Sequence, residues 1–181
     1  MTLLLIATRT LEAGLPVPVQ AAPLFRAAGH RVYVACPTDG DGDALRARLD
    51  VDGVLPLVRG VSWGALVVNL YRMSYWARKW QPELYLSLSP RGALLAHSGR
   101  GSTGGYGLSV LYLSAPPRGW LQHHAFHEAD RLIVEEESLA ETLRARHPAR
   151  GGDLTMLPAA TPEALLSRSL AYFEEPPGVL V

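Results

Sequence analysis

Apolar positions along this chain fall into short unbroken runs, separated by longer stretches with helical spacing. Leu3-Leu4-Leu5-Ile6-Ala7 opens the series. A run of that length without polar alternation predicts a strand buried on both faces. Val17, Ala21, Leu24 and Ala28 then mark one helical stripe, with Gly29 as its stop. Pro23 lies inside that stripe, so the helix kinks there or starts late with Pro23 in its first turn. Arg31-Val32-Tyr33-Val34-Ala35 completes a strand–helix–strand unit, expected to be parallel and right-handed. Such units hold ligands at the carboxyl ends of their strands, here Thr8 to Pro18.

The alternation continues. A short helix over 44–49, capped by Asp41 or Asp43, leads to a third strand over 53–58. Pro56 marks that strand as an edge, since proline cannot serve both neighbours of a central strand. Ser62 caps a long helix to about Trp80, with Trp63, Leu66, Leu70, Met73, Ala77 and Trp80 spaced 3-4-3-4-3. Arg72, Arg78, Lys79, Tyr71, Tyr75 and Trp76 lie off the stripe. They form either a solvated outer face or a surface that touches a membrane or partner. Strands over 83–88, 108–113, 130–134 and 153–157 follow, with helices over 92–97, 120–129 and 138–146 between them. Ser89-Pro90 is a cap-and-first-turn pair, and Thr161-Pro162-Glu163 opens a terminal helix. About seven strands alternating with helices predict an α/β fold: one domain built on a Rossmann-like, doubly wound parallel sheet. Its bounds are 1–160, with a helix and tail over 161–181. Leu5, Ala7, Val32, Val34, Leu86, Val110 and Ile133 are the expected core of the sheet.

Composition narrows the class. With 181 residues, 48% hydrophobic, the chain can bury a real core, and a net charge of zero gives no general pull toward nucleic acid. Cys36 is the only cysteine, which fits a reducing, cytoplasmic setting. The apolar amino-terminal run is too short for a signal peptide, and no stretch approaches a membrane span.

Most chemical motifs fail on context. Gly99, Gly101 and Gly104 spell G-x-G-x-x-G, but after a helix and before a strand, the reverse of a dinucleotide site. The stretch 99–107 therefore reads as a flexible loop. Asp39, Asp41 and Asp43 lack the glutamate that would complete a calcium loop. His123 and His127 share a helix face, yet no third ligand lies near, so they read as surface histidines without zinc or iron. Glu135-Glu136-Glu137 are explained by the positive end of the helix they precede. No cofactor is expected.

The order of segments resembles the N-terminal, acceptor-side half of family-4, GT-B-fold glycosyltransferases. The matching stretches are Ala28-Gly29-His30-Arg31-Val32-Tyr33-Val34, Gln81-Pro82-Glu83-Leu84 with Ser89-Pro90-Arg91-Gly92-Ala93, Ala129-Asp130-Arg131-Leu132-Ile133-Val134 with Ser138-Leu139-Ala140, and Leu154-Thr155-Met156-Leu157-Pro158. Several of the family's marks differ. Ala13-Gly14 stands for a glycine pair, Leu86 and Leu88 for strand-end histidines, Ser114 for another histidine, and Pro158-Ala159-Ala160 for Pro-Asn-Gly. Glu128 and Glu136 repeat the family's eight-residue glutamate spacing in the wrong half.

The resemblance implies two functions. One is an acceptor-side half that transfers a sugar when paired with a nucleotide-sugar-binding partner chain. The other is a non-catalytic relative used for binding or assembly. It places substrate contacts at Thr8, Gly14, Ser89, Arg91, Ser114, Arg118 and Glu136, in the loops that follow the strands. Arg91 and Arg118 suit an anionic acceptor or a phosphate; otherwise they are helix-end charges. A half-fold also implies uncovered apolar surface, hence a homodimer, or a heterodimer with a donor half, through the terminal helix or the helix over 62–80; the alternative is that the terminal helix folds back on its own sheet and leaves a soluble monomer.

Overall fold

A computed structural model describes residues 1–11, 15–38, 42–60, 62–158 and 161–174. Seven parallel strands form one sheet: β1 (Thr2–Ile6), β2 (Arg31–Pro37), β3 (Gly53–Leu57), β4 (Leu84–Ser87), β5 (Leu108–Leu113), β6 (Arg131–Val134) and β7 (Leu154–Met156), in the order β3-β2-β1-β4-β5-β6-β7. All seven expected core residues are buried. Pro56 lies on the edge strand, paired only with Cys36 on β2.

Handedness decides which face each helix covers. Strand order runs outward from β1 to β3, then jumps back to β4 and runs the other way. Right-handed crossovers therefore put the early helices on one face and the later ones on the other. On the first face lie α1 (Val17–Gln20), α2 (Ala22–Ala27) and α3 (Gly42–Leu49), over a core that includes Leu3, Leu5, Val32, Val34 and Phe25. On the second lie α4 (Trp63–Trp80), α5 (Pro90–Ser102), α6 (Gly119–Glu128) and α7 (Glu137–Arg146), over Leu4, Ile6, Tyr85, Leu111, Leu132 and Val134. These crossovers alone leave the β4–β6 part of the first face bare. The terminal helix α8 (Pro162–Glu174) fills it: Leu165 and Tyr172 are buried with Val110, Tyr112 and Ile133. The apolar face of this helix is thus spent within the chain. Of the two helices expected to offer an interface, the one over 62–80 keeps its apolar surface exposed.

Three sequence expectations are corrected. The stretch 99–107 is not wholly a loop, because α5 runs on to Ser102. Gly99 lies inside it where a Cβ would come within 3.1 Å of Tyr85 and 3.3 Å of Ala77 and Met73. The close approach of α5 to α4 and β4 thus outweighs glycine's poor helix propensity. The first helix breaks at Ala21 and α2 starts with Pro23 in its first turn, as expected, because Pro23 has no N–H to offer Val19; the stripe is what differs. Its buried positions are Pro18, Val19, Ala21, Ala22 and Phe25, while Ala28 is exposed. The long helix begins as expected, with Ser62 Oγ accepting from Ala65 N at 3.2 Å. Trp63, however, faces solvent, and the buried side of the helix starts at Ala65 and Leu66.

Candidate functional site

In a doubly wound sheet a crevice opens at the carboxyl ends of the strands where the order reverses. Here that point lies between β1 and β4. Two hydroxyls meet across it: Thr8, just past β1, and Ser89, just past β4, lie 2.8 Å apart. Ser89 Oγ also accepts from Gly92 N at 3.1 Å and so caps α5. Gly92 is required by proximity, since a Cβ there would sit 3.1 Å from the Ile6 carbonyl and 3.3 Å from Ser87 Cβ. The start of α5 is thereby pressed against the ends of β1 and β4.

Arg91 follows in the first turn of α5, half-buried, and donates to the Gly60 carbonyl at 3.3 Å. That carbonyl belongs to the loop between β3 and α4, which buried Asn69 holds in place. Its amide accepts from Val58 N at 2.8 Å and donates to the Val58 carbonyl at 3.0 Å. A cavity of about 20 Å³ lies between Thr8, Gly60, Asn69 and Arg91, room for a water molecule.

The structure brings Thr8, Ser89 and Arg91 together. Ser114, Arg118 and Glu136 stand farther along the same rim, all exposed, after β5 and β6. Arg118 occupies the cap position of α6 without a side-chain cap bond, and its backbone N–H goes to Gln122 Oε1 at 2.7 Å. Glu136 has the same place before α7. Gly14 lies outside the described residues, as do Asp39 and Asp41 of the aspartate-rich turn.

Sequence reasoning passed over two further groups here. Asn69 is one; its only signal is an amide on the buried side of an amphipathic helix. The other is a pair, Tyr112 at the end of β5 and Glu135 just past β6, in which the phenol donates to the carboxylate. Burial, the bond to Glu135 and the charge of Glu135 all hold the Tyr112 phenol well above its ordinary range.

These groups can hold a hydroxylated or anionic ligand. They do not form a nucleophile with its base. Cys36 is fully buried, and burial pushes its thiol up to about 11, so it stays protonated. No histidine occurs in the loops after β1, β4, β5, β6 or β7. His123, His127 and His147 gather instead at the opposite end of the helices, with ring centroids 5.2 to 5.4 Å apart. Among the described residues no group of three or more His, Cys, Asp or Glu side chains is placed to hold a metal ion.

No family profile and no curated protein sequence matches the chain significantly. Solved structures do match. A glycosyltransferase from Rickettsia africae ESF-5 superposes with a TM-score of 0.67 at 10% identity, covering 97% of this chain and 50% of that one. The lipopolysaccharide outer core galactosyltransferase WaaB gives 0.64 at 13%, covering 86% and 45%. A UDP-N-acetylglucosamine 2-epimerase from Rickettsia bellii gives 0.64 at 13%, covering 97% and 49%. The fold is therefore that of one Rossmann-like half of GT-B glycosyltransferases and of these epimerases. The chain spans about half the length of each.

Proposed function

We propose that this chain is the acceptor-side, N-terminal half of a glycosyltransferase similar to family 4, and that it transfers a sugar when a second chain supplies the nucleotide-sugar-binding half. The observation that carries this reading is the crevice at the sheet reversal, where Thr8, Ser89 and Arg91 converge on a fold shared with half of each glycosyltransferase. The hydroxyls of Thr8 and Ser89 would meet acceptor hydroxyls. Arg91 would meet a carboxylate or phosphate with a charge-assisted bond. Ser114, Arg118 and Glu136 would extend the contact along the rim, and the reaction would run in the cleft between the two halves.

A second reading, a non-catalytic relative that keeps the crevice for binding, is favoured by the strand ends, where Leu86, Leu88 and Ser114 stand instead of histidines. The test that separates the two is to isolate the tagged chain from its native host and identify what copurifies. The complex is then assayed for transfer from radiolabelled UDP-glucose, UDP-galactose, UDP-N-acetylglucosamine and GDP-mannose to host extracts. The first reading expects a donor-binding chain and transfer that needs both proteins, reduced about tenfold or more by Arg91→Ala. A lone chain without transfer supports the second.

A further inference from the structure

Of the large apolar side chains the fold leaves exposed, five lie on α4: Trp63, Val67, Val68, Tyr71 and Tyr75. Four of them recur at every fourth residue, Trp63-Val67-Tyr71-Tyr75, so they form one ridge along the helix. Tyr71 is 75% exposed and Trp63 65%, values that mark side chains standing off the surface. The inner side of the same helix is conventional core, with Leu66, Met73 and Ala77 buried. Helix α4 is thus apolar on two sides, and among the described residues only one of them has a partner within the chain.

Charge says what the other side fits. From Gly53 to His127 the chain has seven basic residues and a single acid, Glu83, although its overall charge is zero. Glu83 is taken up at the amino end of β1, accepting from Thr2 N at 2.7 Å and lying 3.8 Å from the chain's amino terminus. The helix itself has Arg72, Arg78 and Lys79 and no acid. Neutral groups receive these cations: the Pro56 carbonyl accepts from Arg72 at 2.7 Å, the Ser102 carbonyl from Arg78 at 3.3 Å, and Lys79 lies over the Trp76 ring at 5.1 Å. Their charge remains available to an outside partner. Helix α5, packed beside α4, likewise has no acid. A second copy turned onto this face would set cation against cation with no carboxylate to answer.

We propose that the outer face of α4 is a docking surface for an anionic membrane, with the helix lying along the headgroup layer. The Trp and Tyr rings and the valines enter the interface, and Arg78 and Lys79 meet lipid phosphates. No described helix is long and apolar enough to cross a membrane, so the attachment is peripheral. This inference rests on the exposed face of α4 and does not depend on the glycosyl-transfer reading.

The test is sedimentation of the full chain with vesicles of phosphatidylcholine alone and of phosphatidylcholine with phosphatidylglycerol at 3:1. Binding is expected to the anionic vesicles, weakening as salt rises. Arg78→Glu with Lys79→Glu should lower it at least about tenfold. So should the triple change of Trp63, Tyr71 and Tyr75 to Ser. Trp120→Ser, an equally exposed tryptophan on α6, should leave it unchanged. Circular dichroism checks that each variant is folded. Three outcomes would each overturn the proposal: no binding by the wild-type chain, equal binding to neutral vesicles, or a concentration-dependent dimer that the triple change dissolves while vesicle binding persists.

Discussion

At the amino end of the sheet, three carboxylates each accept the N–H of a residue at or next to a strand's start, all at 2.7 Å: Glu83 from Thr2, Asp52 from Val32 and Asp130 from Ser109. Arginines close the network. Arg100 pairs with Asp130 at 2.8 Å, Arg150 with Asp153 at 2.9 Å, and Arg131 with Asp153 at 3.4 Å. A cleft of about 960 Å³ lies there, and Arg100, Arg131 and Arg150 in its walls each have an acid within the chain. At the carboxyl end the positions after the strands hold Thr8, Ser89, Arg91, Ser114 and Glu136, which make few bonds within the chain. The charges of one end are mostly engaged with acids of the chain itself, while those of the other make few bonds within it. A polar cleft is therefore a poor guide to function until its internal pairing has been counted.

This contrast can be broken most severely at Gly107, just before β5. Its φ is +93°, and a Cβ would fall 2.4 Å from the Pro82 carbonyl. Gly107→Ala should cost about 3 kcal/mol or more and depress folded yield, read by urea unfolding. Next is Asp130→Ala, which strips a backbone N–H and Arg100 of their acceptor at once and should cost about 2–3 kcal/mol. On the other rim, Ser114→Ala and Arg118→Ala should change stability by about 0.5 kcal/mol or less. Equal losses at the two ends would erase the distinction.

How far this division could be read beforehand depends on the kind of signal. The strands were legible because a strand buried on both faces shows as an unbroken apolar run, as in residues 3–7 and 110–113. The crevice was legible in outline, since parallel topology alone places Thr8 and Ser89 at one end. Distance in sequence hid the rest. The Asp130–Arg100 pair joins residues 30 apart, and nothing local marks Asp130 as a strand-end acceptor. The same holds for α5, where the glycines signalled a loop while the tight crossing that requires Gly99 depends on Tyr85 and Ala77. That α8 would cover the bare half of the first face follows from topology, not from its own stripe.

The smallest expected effect is on pH dependence, again at the amino end. Burial and then repulsion from His127, His123, Arg146 and Arg150 hold the His147 imidazole below its ordinary value of 6.5. The unfolded chain then binds the proton more readily than the folded one. The neutral form's full stability is present above about pH 6.5 and declines as pH falls from there toward the lower folded-state value. Melting between pH 7 and 5 should show this decline, and His147→Asn should reduce it by about a degree or two.

The central claim is that the carboxyl-end crevice is the binding surface. Its most direct measurement is an amide NMR titration of the full chain with glucose 1-phosphate and N-acetylglucosamine 1-phosphate. These probes carry the hydroxyls and the anion that Thr8, Ser89 and Arg91 are proposed to meet. Shifts centred on the amides of Thr8, Ser89, Arg91 and Gly92, and lost in Arg91→Ala, are the predicted result. Shifts centred on Arg131 and Arg150 at the other end of the sheet, or none at all, would contradict it.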